Sequence, residues 1–128
     1  MPHFLRALLW SLFVAVMLAA CAGGGGRATV IDPGDAGYDG ERIVLIGTDD
    51  LLFVPEELAV PAEPVPLELH CEPAVNHNIV IIETGEEIAV CAPGETGTGT
   101  LEIAPGTYTY VCTVPGHSAT MRGEITVG

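Results

Sequence analysis

The chain has 128 residues, 17 acidic against 4 basic, and a formal net charge of −13. That length holds one folded domain rather than two. The charge balance excludes a nucleic-acid binder, because neutralising phosphates takes Lys and Arg and the chain has no Lys at all.

At the N-terminus Arg6 precedes Ala7 to Ala20, an uncharged apolar run of 14 residues. A run of this length matches the apolar core of a signal peptide and is short for a bilayer span. It ends in Leu18-Ala19-Ala20-Cys21, which resembles the lipobox of bacterial-type lipoproteins. The resemblance implies cleavage before Cys21 and a diacylglyceryl group on its thiol, anchoring the chain to the outer face of a membrane. Residues 1–20 are thus expected to be a signal peptide. Residues 21–40, rich in Gly, Asp, Pro and Ala without periodicity, are expected to be the lipidated Cys and a flexible linker with a reach of roughly 25 Å. An ordinary signal peptide or an uncleaved anchor are the alternatives. All three put the domain outside the cytoplasm, in the periplasm or on the outer cell surface.

Residues 41–128 read as one all-β domain. No stretch carries a 3.6-residue apolar period, and short β-rich runs alternate with Pro and Gly. The predicted strands are Arg42–Ile46, Leu58–Val60, Val65–His70, Asn78–Ile82, Ile88–Val90, Thr98–Ile103, Thr107–Cys112 and Glu124–Val127. Seven or eight strands in under 90 residues cannot form one open sheet with a dry face, so an antiparallel two-sheet sandwich is expected. There is no phosphate loop, catalytic Ser motif or paired Cys-x-x-Cys. The acids are scattered singly and in pairs, as on a solvated surface.

The chemistry gathers near the C-terminus, in Tyr110-Val111-Cys112-Thr113-Val114-Pro115-Gly116-His117-Ser118-Ala119-Thr120-Met121-Arg122-Gly123. Upstream, Asn76-His77-Asn78 opens another strand. Together these supply two imidazoles, one thiolate and one thioether, a set that suits copper cycling between Cu(I) and Cu(II). Cys112 ends a strand, so the sheet fixes its direction. The Pro115-Gly116 turn brings His117 back, and Met121 can stand above the plane of the others. A trigonal His₂Cys plane with a weak axial Met is the geometry of a type 1 blue-copper electron-transfer site. His70 has no partner in this motif and reads as structural.

Cys-x₄-His-x₃-Met with an earlier His-Asn resembles the cupredoxin family of type 1 copper proteins. CTVPGHSATMRG is similar to an azurin-type ligand loop, and Pro105 to Cys112 matches the Pro-Gly-Thr-Tyr-x-Tyr-x-Cys of plastocyanin-, auracyanin- and halocyanin-type members. The resemblance spans roughly residues 41–128. It implies a Greek-key sandwich holding one copper ion, with His77, Cys112, His117 and Met121 as ligands. It also implies that Asn78 braces the Cys loop by hydrogen bonds, with Thr113 as its partner. Azurin-type members carry Gly before the first ligand His. Asn76 stands there in this chain, so the four-ligand arrangement is the one expected.

With Cys21 assigned to lipid and Cys112 to copper, Cys71 and Cys91 remain. In a cupredoxin-like sandwich their strands would run side by side, and a disulfide between them is expected in an oxidising compartment. It would stiffen the loop carrying His77 and stabilise the fold by about 3 kcal/mol in the chain-entropy model. Two free buried thiols are the alternative. The resemblance implies a monomeric single-electron carrier and not an enzyme. Its redox donor and acceptor would present positively charged faces to this acidic surface. An extracytoplasmic copper-binding or delivery protein is the competing reading; a single Met beyond the signal segment speaks against it.

Overall fold

The structure, a computed structural model, describes residues 31–128. The expected signal peptide, the expected lipidation site Cys21 and the first part of the expected linker lie outside the described residues. Ten strands follow a short 3₁₀ turn at Pro33–Asp35: β1 Gly37–Tyr38, β2 Ile43–Gly47, β3 Phe53–Val54, β4 Glu57–Val60, β5 Val65–Cys71, β6 His77–Ile81, β7 Glu86–Cys91, β8 Thr96–Leu101, β9 Gly106–Val111 and β10 Arg122–Val127. All eight predicted strands are present within a few residues of their expected ends. The two added strands, β1 and β3, have two residues each, too short for any period to register.

The strands form two sheets. One has the order β1-β2-β5-β8 with β3 also paired to β2; the other has the order β4-β10-β9-β6-β7. Both sheets are mixed. Most neighbours are antiparallel, as expected, but β2 pairs with β5 and β4 with β10 in parallel. Parallel neighbours need a crossover rather than a hairpin. The segment between β2 and β5 supplies one by crossing to the other sheet as β4. Ordered pairing also begins earlier than the linker reading allows, because Gly37 and Tyr38 pair with Val44 and Ile43.

The core lies between the sheets. Ile43, Leu45, Phe53, Leu67 and Leu69 face Ile79, Ile81, Tyr110 and Ile125, all at most 2% exposed. Alternation places these residues: β4 reads exposed-buried-exposed-buried, the period-2 signature of a half-covered strand. Phe53 and Tyr110 meet edge to face at 5.4 Å. The Tyr110 hydroxyl donates to the Pro55 carbonyl at 2.6 Å, and burial holds that phenol well above its usual range. At one side β7 and β8, the edges of different sheets, touch directly. A Cβ on Gly97 or Gly99 would collide with the Val90 or Ile88 carbonyl.

The Cys71–Cys91 disulfide is formed, with Cα atoms 5.8 Å apart. Cys91 lies at the end of β7 rather than in the loop before β8, so the bond joins the two sheets.

Candidate metal centre

The centre sits where two neighbouring strands part. β6 and β9 pair at Ile81–Tyr110 and Val80–Val111, and there their backbone ladder stops; on its other side β6 shifts register with β7 between Ile79 and Val80. His77 and Cys112 lie beyond that last rung. In place of further rungs, the Asn78 side chain bridges the gap. Its Oδ1 accepts the Thr113 N–H at 2.7 Å, and its Nδ2 donates to Thr113 Oγ1 at 2.7 Å and to Glu87 Oε2 at 2.8 Å. The residue after His77 is thereby tied to the residue after Cys112. The sequence reading names this pair; it does not name Glu87.

The loop after Cys112 closes on itself. Pro115 fixes the first corner of a tight turn, and Gly116, at φ 88°, supplies the left-handed second corner. The His117 N–H then donates to the Val114 carbonyl at 3.0 Å. The His117 carbonyl accepts from Met121 at 2.9 Å, and Cys112 N–H donates to the Met121 carbonyl at 3.0 Å. The ten residues from Cys112 to Met121 therefore begin and end at one point. The Thr120 hydroxyl further ties this loop to the β2–β3 turn, donating to the Leu51 carbonyl at 2.7 Å. Leu51 adopts φ 60°, an uncommon conformation for a side-chain-bearing residue. No local sequence signal marks that contact.

Three of the expected ligands meet. One donor atom each from His77, Cys112 and His117 lies within 4.8 Å of the others. Cys112 Sγ is 3.5 Å from His117 Nδ1, and the two imidazole centroids are 5.3 Å apart. His77, Cys112 and Met121 are 0% exposed and His117 is 8% exposed. Met121 is placed by its backbone bond to Cys112 and packs in the same buried cluster. His70 stands apart, bonded to Thr96 and Glu68.

His77 decides whether a metal fits. Burial, then the neighbouring His117, holds its imidazole below the ordinary range for histidine. The Thr48 backbone and the Asp49 and Glu72 carboxylates oppose that shift. Neither ring nitrogen, however, has a partner in hydrogen-bonding geometry. A fully buried imidazole without partners is costly unless something else satisfies it. Being neutral, it has a lone pair to give without first losing a proton. Two imidazoles, a free buried thiol and a thioether suit copper. The residues present fit the ion. Gly47, whose backbone lies against the His77 ring, is a neighbour the sequence reading misses.

A buried His₂Cys donor set at one end of a two-sheet Greek-key sandwich defines the cupredoxin class. Residues 41–128 match the copper binding proteins of the plastocyanin/azurin family, and the chain belongs to that family. Auracyanin-A of Chloroflexus aurantiacus is 30% identical in an alignment that covers 89% of this chain and 90% of its own length. The solved structure of auracyanin A, described as a blue copper protein from that green thermophilic photosynthetic bacterium, superposes with a TM-score of 0.60 at 23% identity. It covers 68% of this chain and 98% of its own. Auracyanin B superposes at 0.58 with 26% identity, covering 70% of this chain and 89% of its own. An azurin from Methylomonas sp. strain J gives 0.58 at 17% identity, with 70% and 98% covered, and shows the shared fold alone. Family membership makes the protein a copper-binding electron carrier rather than an enzyme.

Proposed function

We propose that the protein is a membrane-tethered single-electron shuttle with a mononuclear type 1 copper site. Its ligands are His77, Cys112, His117 and Met121. The observation that carries this reading is the fully buried His77 imidazole, unpartnered at both nitrogens and set against a free buried thiol. Bound copper supplies one-electron chemistry between Cu(I) and Cu(II). The chain's own residues do the rest. Cys112 is held by the β9 end and by its bond to Met121, and Asn78 keeps it in register with His77. This support restrains the donor set in one arrangement, so little reorganisation accompanies a change of charge. Burial of all four side chains excludes water.

His117 is the least buried of the four and forms their contact with the surface. Around it, exposed Pro115 and Ala119, with Pro73 and Ala74 from the facing loop, offer a small apolar landing area. Asp49, Asp50 and Glu72 stand close to the same end of the molecule. They favour a partner with a positively charged face and an association rate that falls with salt. The domain acts outside the cytoplasm, a reading supported by the Cys71–Cys91 disulfide, which persists in oxidising compartments. Lipid on Cys21 holds it to the membrane, and the chain works as a monomer.

The test is spectroscopic. The full-length protein, purified in detergent and loaded with Cu(II), is expected to give an intense blue band and a narrow copper hyperfine splitting, bleached by one electron. A pale complex would overturn the type 1 reading and favour copper delivery. Incorporation of labelled fatty acid, lost on Cys21→Ser, checks the anchor independently.

A further inference from the structure

Gly47 is the point where β2 meets the donor set. Its φ lies outside the left-handed region, so the path of the chain does not itself demand glycine there. The residue sits inside its sheet, opposite Phe53 of β3 on one side and Cys71 of β5 on the other. Its carbonyl accepts the Glu72 N–H at 2.9 Å. Cys71 is in turn disulfide-bonded to Cys91, which stands opposite His77 in β6. The backbone of Gly47 and the strand bearing His77 are thus locked to each other through a covalent bridge.

A Cβ built on Gly47 would lie 2.5 Å from His77 Cδ2, 2.8 Å from Cγ and 3.2 Å from Cβ. The imidazole occupies the volume that any side chain at position 47 would need. Ordinary contact begins at 3.4 Å, so a methyl group there must move the ring by roughly 1 Å. Neighbours on both sides of β2 hold the strand, so the ring has to yield.

We infer that Gly47 is a positioning residue for His77. Its bare backbone sets how deeply the imidazole seats against β2, and through that where the ring stands relative to Cys112 and His117. The inference deepens the copper reading and rests on it for its effect on the metal. Its steric half stands on the apo fold alone.

A double-mutant cycle on the metal-free, full-length protein in detergent tests the steric half, using Gly47→Ala, His77→Ala and the pair. Gly47→Ala is expected to lower Tm by roughly 5–15 °C, as overpacking does. In the His77→Ala background the same change is expected to lower it by less than about 3 °C, because the clashing ring is gone. Equal losses in both backgrounds would overturn the inference and assign Gly47 to the strand. If Gly47→Ala fails to fold, recovery of a cooperative melt in the double variant supports the seat, and continued failure overturns it.

The copper arm compares Cu(II)-loaded wild type and Gly47→Ala. The variant is expected to show a displaced blue band, a wider hyperfine splitting and roughly 10-fold weaker retention of copper against a chelator. A blue wild type and an indistinguishable variant would overturn the positioning role. A wild type that is never blue would overturn the copper reading instead, leaving the metal-free cycle to decide whether Gly47 seats His77.

Discussion

Around His70 and around His77 the sandwich buries an imidazole, 9% exposed in one case and 0% in the other, and surrounds it in opposite ways. At His70 the protein completes the ring: Nδ1 meets Thr96 Oγ1 at 2.7 Å, and Nε2 meets Glu68 Oε2 at 3.1 Å. Glu68 is itself bonded to Arg42 at 2.7 Å. At His77 the protein offers the bare Gly47 backbone, the His117 ring and the Cys112 thiol, and both nitrogens lack a hydrogen-bond partner. Side chain type and burial do not separate a structural histidine from a ligand. The hydrogen-bond ledger does.

The contrast can be broken most visibly at the thiol that shares the His77 site. Cys112→Ser is expected to abolish the blue absorption of the Cu(II) form completely, whereas a variant that stays blue would remove Cys112 from the ligand set. Next comes the pair itself. His77→Ala is expected to weaken copper binding about 100-fold or more in a competition titration. Its metal-free stability should change little, since relief of the buried, unpaired ring offsets the cavity left behind. His70→Ala should do the reverse. Copper binding stays within about 3-fold while chemical denaturation shows a loss of about 1–3 kcal/mol from the two hydrogen bonds of the His70 ring. Two variants with the same profile would erase the distinction.

Smaller effects sharpen it. On the proposed assignment Met121 is a weak donor, so Met121→Leu should keep the colour and raise the reduction potential measured by voltammetry; an unchanged potential would overturn that assignment. Asn78→Ala removes the side-chain rungs that replace the β6–β9 ladder. About 1–3 kcal/mol of stability should go with them, read by denaturant titration. The least effect is expected far from the site, at Glu83, whose carboxylate accepts the Thr109 N–H at 2.9 and 3.0 Å. That bond holds its pKa below the ordinary 4.5. The stabilisation is therefore full above about pH 4.5 and is lost as pH falls below it. Wild type and Glu83→Gln should differ in denaturation midpoint at about pH 7 and converge as pH falls below 4.5 through the lowered pKa.

The parts of the molecule readable from the sequence are those written in short stretches. Three of the four expected ligands fall between Cys112 and Met121, on a Pro115-Gly116 turn whose geometry is local. The eight longer strands are bounded by their own breakers. What escaped depends on register between distant segments. The parallel pairing of β2 with β5 brings Gly47 opposite Cys71, and nothing near Gly47 in the chain announces that a histidine 30 residues later will rest on it. Thr120 and Leu51, 69 positions apart, are joined by one hydroxyl for the same reason. The cysteines left over and the family resemblance together imply the Cys71–Cys91 pairing, but not its bridging of two sheets. That follows from Cys91 belonging to β7, which extends one residue past the expected end.

The glycines that let β8 lie against β7 carry a consequence for how this protein would fail. Every open sheet exposes two rims of unsatisfied amides, and such rims invite templated growth with other copies. Gly97 and Gly99 let one rim of each sheet plug the other, backbone against backbone. A single methyl group at either position would wedge that seam open, and at Gly97 it would do so beside Cys91, the residue opposite His77. The first symptom of such a lesion would be fibrous or amorphous deposits, grown from the two rims that the seam no longer covers.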